Sequence, residues 1–450
     1  MNKIHYDVFI IGSGVAGQTV AKACAKEGLN VAVSDNREYG GVCANRGCDP
    51  KKVLVEFGEL IDFCERMKKN GVEKLPKLNW EKVQEFKQEF TKKVPAKTED
   101  NLKELGIDLY HQSPEFISKS EIKVEGKTVS ADKFVIATGK IPQKLDVEGS
   151  HYLKTSDDFL EMKSIPESAI FIGAGYIGME FSHLLVTLGC KVTVIDSGER
   201  ALSNFDVDLV KELEKKSRTI GIDFYFESEI SSIEKLQKNY RVNFKSKKGK
   251  TEDVKAEIVF NTAGRIPATK TLNLKKADVS ENENGVEVNE YMQSISNKNV
   301  YACGDVSDFS LPLTPLSGLT GYVVSKNILK KKSKTLEPPL VPSVVFTLPQ
   351  MASVGLSEKE AKSIYKDVIV NYEKVPYWYS AKHVNEEIYA YKILINKRTQ
   401  QIVGAHLVGP KAGEIINLLT LAIKNELRVE DLKKTIFTYP SVGNDIRKMV

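Results

Sequence analysis

Four stretches of the chain are apolar with almost no alternation: Val8-Phe9-Ile10-Ile11, Val31-Ala32-Val33, Ala169-Ile170-Phe171-Ile172 and Val192-Thr193-Val194-Ile195. Such short runs predict strands buried on both faces, as in a parallel sheet covered on each side. The first run enters Gly12-Ser13-Gly14-Val15-Ala16-Gly17, a helical pattern follows from Gln18 to about Glu27, and the second run ends at Asp35. The third enters Gly173-Ala174-Gly175-Tyr176-Ile177-Gly178, a helix carries the chain to Gly189, and the fourth ends at Asp196. From first glycine to acidic residue the offset is 23 positions in both copies, Asp35 minus Gly12 and Asp196 minus Gly173. Strand, GxGxxG, helix, strand, carboxylate is the order a dinucleotide-binding unit requires. The glycines let backbone amides reach a pyrophosphate at the helix N-terminus, and the carboxylate can accept from a ribose hydroxyl. The repeat predicts two nucleotide sites, and two nucleotides on one chain suggest an electron relay.

Between the copies, residues 50 to 105 read as long charged helices, among them Trp80 to about Lys93 and Thr98 to Leu105, with a Lys/Glu alternation that predicts a solvated face. Lys133 to Ile136 is a strand ending in Ala137-Thr138-Gly139, with a counterpart in Ile258 to Gly264 and Arg265. Asn299 to Cys303 is another, ending in Gly304-Asp305, which sets a carboxylate beside a nucleotide or caps the next helix, Thr314 to Leu329. Lys330 to Lys334 and Leu336 to Pro342 read as a linker. Beyond it, strands at Val344–Thr347, Tyr389–Asn396 and Ile402–Val408 and helices at Ala412–Asn425 and Val429–Lys434 predict a separate α+β domain.

At 450 residues, 41% hydrophobic and 28% charged, the composition is that of a globular protein of several domains. A net charge of +5 with no basic-aromatic block argues against nucleic acid, and no apolar run is long enough for a membrane span. The N-terminus does not read as a signal peptide, and six cysteines are too few for a disulfide scaffold, so we expect a cytoplasmic protein. Cys24, Cys64, Cys190 and Cys303 read as buried or helix-face residues. Cys43 and Cys48, in Gly40-Gly41-Val42-Cys43-Ala44-Asn45-Arg46-Gly47-Cys48-Asp49-Pro50-Lys51, are different. On a regular helix residues five apart lie roughly 8 to 9 Å apart, and a disulfide needs less than about 7 Å. A bond therefore requires the turn that Gly47 and Pro50 would permit; taken alone, a redox disulfide and a pair of buried thiols both remain open.

In their order these motifs identify the chain as similar to the class I flavoprotein disulfide reductases, the group of glutathione reductase, dihydrolipoamide dehydrogenase and mercuric reductase. The resemblance spans nearly the whole chain: the first GxGxxG, the GGxCxxxxC-x-P-K block, the second GxGxxG with Glu180, Tyr301-Ala302-Cys303-Gly304-Asp305, and the final domain. It implies an α/β fold of two Rossmann-like dinucleotide-binding domains, for FAD and NAD(P), plus a C-terminal α+β dimerisation domain. The expected division is 1–147 (FAD, with the cysteine pair), 148–265 (NAD(P)), 266–335 (completing the FAD site) and 336–450 (dimerisation). By the same resemblance FAD meets Gly12, Ser13, Gly14, Val15, Ala16, Gly17, Asp35, Gly41, Val42, Lys51, Ala137, Thr138, Gly139 and Asp305. The nicotinamide nucleotide meets Gly173, Gly175, Tyr176, Ile177, Gly178, Asp196 and Gly264. Cys48 is the thiolate against the flavin, Cys43 attacks substrate, Lys51 and Glu180 match a pair near the reactive flavin nitrogen, and Tyr176 matches a gate. The active site would draw on both chains of a homodimer, and electrons would pass from NAD(P)H through FAD to a Cys43–Cys48 disulfide and on to a small disulfide or other soft oxidant. Alternatives within the resemblance are a dihydrolipoamide dehydrogenase-like subunit and a reductase of mercuric or other metal ions, quinones or oxygen.

The chain departs from the family pattern near its C-terminus. Where the family has His-Pro-Thr and a later glutamate, this sequence reads Thr438-Tyr439-Pro440-Ser441 and Asn444. Tyrosine, with a reference pKa near 10, replaces the acid-base histidine, so the substrate is expected to need little protonation of its leaving group. Asp49 beside Cys48 should raise the thiol pKa, whereas Arg46 would lower it. Asp196 favours the 2′-hydroxyl of NAD, and Ser197 to Ser203 hold one arginine, Arg200, so NADH is expected ahead of NADPH.

Overall fold

Each unalternating run forms the strand its pattern predicts, and the reason is visible on its two faces. In strand Ile4–Ile11, Phe9 and Ile11 enter one apolar cluster while Val8 and Ile10 enter another. In strand Ser168–Ile172, Phe171 faces one cluster and Ile170 and Ile172 a second. Neither face meets water, so polar alternation would have left unpaired groups in a core. The structure, a computed structural model, describes residues 4–309, 311–330, 334–337 and 339–450. The predicted linker falls in part on residues 331–333 and 338, outside the described residues.

The chain divides into two compact units, each assembled from separate stretches: Met1–Lys51, Gln84–Gln143 and Gly264–Pro339 form one, and Lys52–Val83, Lys144–Ala263 and Leu340–Val450 the other. The first holds a seven-stranded sheet. Strands Asp108–Tyr110, Val31–Ser34, Ile4–Ile11, Lys127–Ile136 and Val300–Ala302 run parallel, with Phe9 opposite Phe134 and Tyr301 opposite Val135. Glu121–Val124 and Glu115–Ser118 extend it antiparallel. The glycine-loop helix begins at Val15, inside the motif, rather than at Gln18.

The second unit holds the parallel sheet Ile222–Tyr225, Lys191–Ile195, Ser168–Ile172, Ile258–Asn261. An antiparallel meander, Ser228–Lys235, Tyr240–Ser246 and Thr251–Ala256, had no counterpart in the sequence reading. The C-terminal portion is a five-stranded antiparallel sheet. Two of its strands, Met351–Gly355 and Val368–Lys374, were also unforeseen. Helix Ala412–Lys424 covers this sheet with Ile415, Ile416 and Leu419. Lys392, on strand Ala390–Asn396 and only 2% exposed, meets Asp206, Asp208 and Glu358 at 2.8, 2.6 and 3.0 Å. The charged stretch resolves into helices Cys48–Arg66, Trp80–Thr91 and Val94–Lys103. The last begins earlier than Thr98 because Pro95 suits a first turn, where its missing N–H costs nothing.

Candidate functional site

Helix Val15–Lys26 is preceded by Gly14, which provides no side-chain cap, so its first amides are left for a ligand. A Cβ on Gly17 would overlap the Gly12 carbonyl oxygen, which fixes the helix against its own loop. Ser13 donates to Asp35 Oδ2 from its N–H (2.9 Å) and its hydroxyl (2.6 Å), and its Oγ accepts from Gly40 N–H at 3.1 Å. The carboxylate foreseen for a ribose therefore also braces the loop, and the loop fixes the start of the cysteine segment. Ala137 N–H donates to Ile11 O at 2.7 Å, which brings the Ala137-Thr138-Gly139 strand end alongside. Thr138 Oγ1 is buried without a hydrogen-bond partner among the described residues, an orphan that suits a polar ligand group. Asp305 accepts from Ser317 Oγ at 3.1 Å; burial pushes its carboxyl up, against the pull of Arg265 and Lys140. These features fit a dinucleotide such as FAD.

Gly41 has φ +75°, and a Cβ there would lie 2.5 Å from Gly14 Cα, so glycine is needed where the cysteine segment crosses the nucleotide loop. Helix Gly41–Arg46 carries Cys43 and ends at Gly47, whose φ −136° and ψ −117° break the helical path. Cys48 opens the 19-residue helix Cys48–Arg66. The five-residue spacing is thus folded over two helices rather than stretched along one. Both cysteines are unbonded thiols. The Thr314 hydroxyl, on the first residue of helix Thr314–Lys330, donates to Cys43 Sγ at 3.2 Å and lies 3.7 Å from Cys48 Sγ.

The two sulfurs are driven apart in acidity. Cys48 is lowered to about 6, first by the hydrogen bond from Cys43, then by Thr314 and the Lys51 charge, against burial and Asp49. Cys43 is pushed up, first because it gives that hydrogen bond and then by burial. One thiolate held by one thiol is the result. On the question the sequence left open, Lys51 is the cation that lowers Cys48, while the Arg46 guanidinium pairs with Glu38. Asp49 raises both thiols, and its Oδ1 stands 4.0 Å from Cys43 Sγ. Of the remaining cysteines, Cys24, Cys190 and Cys303 are buried and Cys64 is half-buried.

The second glycine loop repeats the first. Helix Tyr176–Thr187 again follows an uncapped glycine, Gly175, with Tyr176 exposed on its first turn and Ile177 and Gly178 after it. Asp196 Oδ2 accepts from Ala174 N–H and Oδ1 from Gly198 N–H, both at 2.6 Å. Arg200 turns inward: its guanidinium donates to the carbonyls of Ala201 (3.2 Å), Leu202 (2.9 Å), Ser203 (2.6 Å) and Phe205 (3.1 Å). This set suits a nicotinamide dinucleotide. In the first unit, Gly264 O accepts from Gln143 N–H at 3.0 Å. Glu180 is 1% exposed and its Oε1 accepts from Phe346 N–H at 2.9 Å. One turn on, the fully buried His183 accepts from Leu348 N–H at Nδ1 (3.1 Å), so its Nε2–H faces Ser217 Oγ (2.9 Å). Burial holds that imidazole down at about 3, hence neutral. Tyr439 is 73% exposed, its ring 6.3 Å from that of Tyr379, which stacks on His383. Thr314 and His183 were not foreseen as site residues, and only the position of Thr314 at a predicted helix start hinted at it; Arg200 was noted in sequence as the one arginine after Asp196, but not its inward turn.

Residues 6–321 match the sequence profile of the pyridine nucleotide-disulphide oxidoreductases, and residues 341–450 match the dimerisation domain of the same family. Staphylococcus aureus mercuric reductase is 31% identical over 98% of this chain and 81% of its own length. Glutathione reductase of Nostoc sp. is 29% identical over 99% of each chain. Among solved structures, a Cu(II) complex of the HOCl-induced flavoprotein disulfide reductase RclA from Escherichia coli, in a cysteine-to-serine mutant, matches with a TM-score of 0.88 and 25% identity, covering 100% of this chain and 99% of that one. The chain belongs to the pyridine nucleotide-disulphide oxidoreductase family, flavoprotein oxidoreductases that use FAD and NAD(P)H.

Proposed function

We propose that this protein is an NADH-preferring flavoprotein reductase that delivers electrons through Cys43 and Cys48 to a small disulfide. The observation that carries this is the pair itself: both sulfurs meet the one Thr314 hydroxyl, Cys43 Sγ at 3.2 Å and Cys48 Sγ at 3.7 Å, and Cys48 is held down at about 6 beside a Cys43 that is pushed up. When bound, FAD supplies two-electron transfer between a nicotinamide and a thiol pair. Its holders are the loop Gly12, Ser13, Gly14, Val15, Ala16 and Gly17, with Asp35, Gly41, Val42, Lys51, Ala137, Thr138, Gly139 and Asp305. Cys48 holds negative charge where Lys51 and Thr314 stabilise it, and Cys43 keeps its proton until it attacks a substrate sulfur. Glu180 is held by Phe346 N–H, and the neutral His183 pins Leu348 nearby without a charge that changes with physiological pH.

The NADH preference is supported by the inward turn of Arg200, which commits its donors to four carbonyls, and by the Asp196 carboxylate. A kcat/KM larger for NADPH than for NADH would overturn it. We assign FAD to 1–147 with 266–335, the nicotinamide nucleotide to 148–265 and dimerisation to 336–450. A homodimer with a shared active site is supported by the dimerisation-domain match and by exposed Leu421, Ile436 and Tyr439 on that domain. Tyr439 would then stand at the exit as a hydrogen-bonding rather than proton-shuttling group. No helix among the described residues is long and apolar enough to cross a membrane. We assign the protein to a reducing cytoplasm, where a Cys43–Cys48 pair works as a catalytic rather than a structural disulfide. The test is Cys43→Ser: it should abolish disulfide turnover while the protein keeps its flavin and still accepts electrons from NADH. Turnover that survives would refute the cysteine route.

A thiol beside a thiolate also suits a soft metal ion, and this second reading shares its acceptor class with the mercuric reductase relative. It requires NADH-driven metal reduction that fails when either cysteine is replaced.

A further inference from the structure

The proposed exchange takes electrons out through Cys43 Sγ, and the Asp49 carboxylate stands 4.0 Å from that sulfur. Asp49 lies in the first turn of helix Cys48–Arg66, on the exposed side of the chain together with Cys48. A carboxylate in a helix's first turn is favourable for the dipole, but that role does not require it to face the attacking thiol. Nor does it assist thiolate formation, since it acts on both sulfurs in the raising direction. In the reduced pair the Cys48 thiolate adds a second negative charge to the same spot. The cations of the motif are engaged elsewhere: Lys51 acts on Cys48, and Arg46 pairs with Glu38.

We propose that Asp49 is a specificity-determining residue at Cys43, selecting oxidants that carry positive charge beside the reducible bond, such as cationic disulfides, and turning away anionic ones. The inference rests on the reading of Cys43 as the attacking sulfur. In the exchange, Cys43 Sγ bonds to one substrate sulfur as the substrate S–S bond breaks and the first thiol leaves with a proton. The Cys48 thiolate then displaces the second thiol and restores the Cys43–Cys48 bond; NADH and one proton are consumed and two thiols are released. A charge two carbons from the substrate sulfur passes within several ångströms of Asp49. In a water-like dielectric that contact favours a cation by a factor of about five and disfavours an anion by about the same, so the ends of a charge series differ by about 25-fold. Because both partners are solvated, the effect falls with added salt.

The experiment follows NADH consumption by the holoenzyme with three disulfides of equal spacer: cystamine (cationic), bis(2-hydroxyethyl) disulfide (neutral) and 3,3′-dithiodipropionate (anionic). Each kcat/KM ratio is compared with its value in Asp49→Asn, which cancels differences among the leaving thiols. The expected result is that the cystamine-to-dithiodipropionate ratio falls by about 25-fold in Asp49→Asn, is kept in Asp49→Glu, and shrinks for the parent in high salt. Ratios equal in parent and Asn variant, with all turnover lost in Cys43→Ser, overturn the inference and leave the cysteine route standing. Turnover of the three disulfides that persists in Cys43→Ser overturns both.

Discussion

Replacing Thr314 by valine tests whether the acidity of Cys48 is built by its neighbours. The hydroxyl lies 3.2 Å from Cys43 Sγ and 3.7 Å from Cys48 Sγ, and it lowers both thiols. A hydrogen bond to a charged group contributes about 1.5–3 kcal/mol, or about one to two pKa units at 1.36 kcal/mol each. The longer sulfur contact and the exposure of Cys48 put the effect at the low end, about one unit. The Cys48 midpoint should therefore rise from about 6 by about one unit in Thr314→Val. Above its midpoint the sulfur is a thiolate and reacts with alkylating agents; below it, a thiol that does not. At pH 6 the thiolate fraction then falls from about one half to about one tenth, a roughly fivefold slower alkylation, while above pH 8.5 the two proteins converge. The assay is the pH dependence of iodoacetamide alkylation of the reduced protein, with Cys48 resolved from Cys43 by peptide mass spectrometry. An unchanged midpoint, or one that moves down, would refute the account of a thiolate held by Thr314 and leave Cys43 and Lys51 as its support.

Arg200→Met removes four donors from the 201–205 loop, where buried Leu202 sits at φ +46° and needs that support. The KM for NADH should rise about tenfold, roughly 1.4 kcal/mol, with the NADH-to-NADPH preference unchanged; a selective loss of NADPH activity would show that Arg200 reads a phosphate instead. Gly17→Ala drives a Cβ into the Gly12 carbonyl and should cost about 1–3 kcal/mol through overpacking, seen as a lower flavin-to-protein absorbance ratio; full flavin content would contradict the packing. Lys392→Met leaves Asp206, Asp208 and Glu358 crowded without their cation and should lower stability by about 3–5 kcal/mol at neutral pH. Lys362 and then Lys392 hold Glu358 below its usual range, so that support is present above the ordinary carboxylate pKa and lost as pH falls. In chemical denaturation the deficit against the parent should hold from neutral pH down to about 4.5, the ordinary glutamate value, and narrow below it as Glu358 takes up its proton; a deficit that stays constant through the acid range would sink the explanation.

What the sequence determined by itself is the part of this protein governed by local rules. Unalternating apolar runs demand strands covered on both faces, and a glycine loop between such a strand and a helix leaves uncapped amides for a phosphate; both are properties of a few consecutive residues, and both appear twice. The cysteine pair was equally legible as a motif, and Gly47 as the break that lets five-residue spacing close. Strands Ser228–Lys235 to Thr251–Ala256 escaped because they are mostly polar with one sparse apolar face, so hydrophobic pattern gave little signal. Tertiary structure alone decided who stands beside whom. Thr314 is 266 residues from Cys48, and no spacing rule connects them. Arg200 could have faced solvent and a phosphate, but the carbonyls of its own loop turned it inward. In sequence Asp49 read as a perturbation of Cys48; its approach to Cys43 depends on how Gly47 folds the first short helix against the start of the next. Hydrogen bonds and charges act over a few ångströms, so the acidity of the pair and its choice of partner follow from distances that only the folded chain sets.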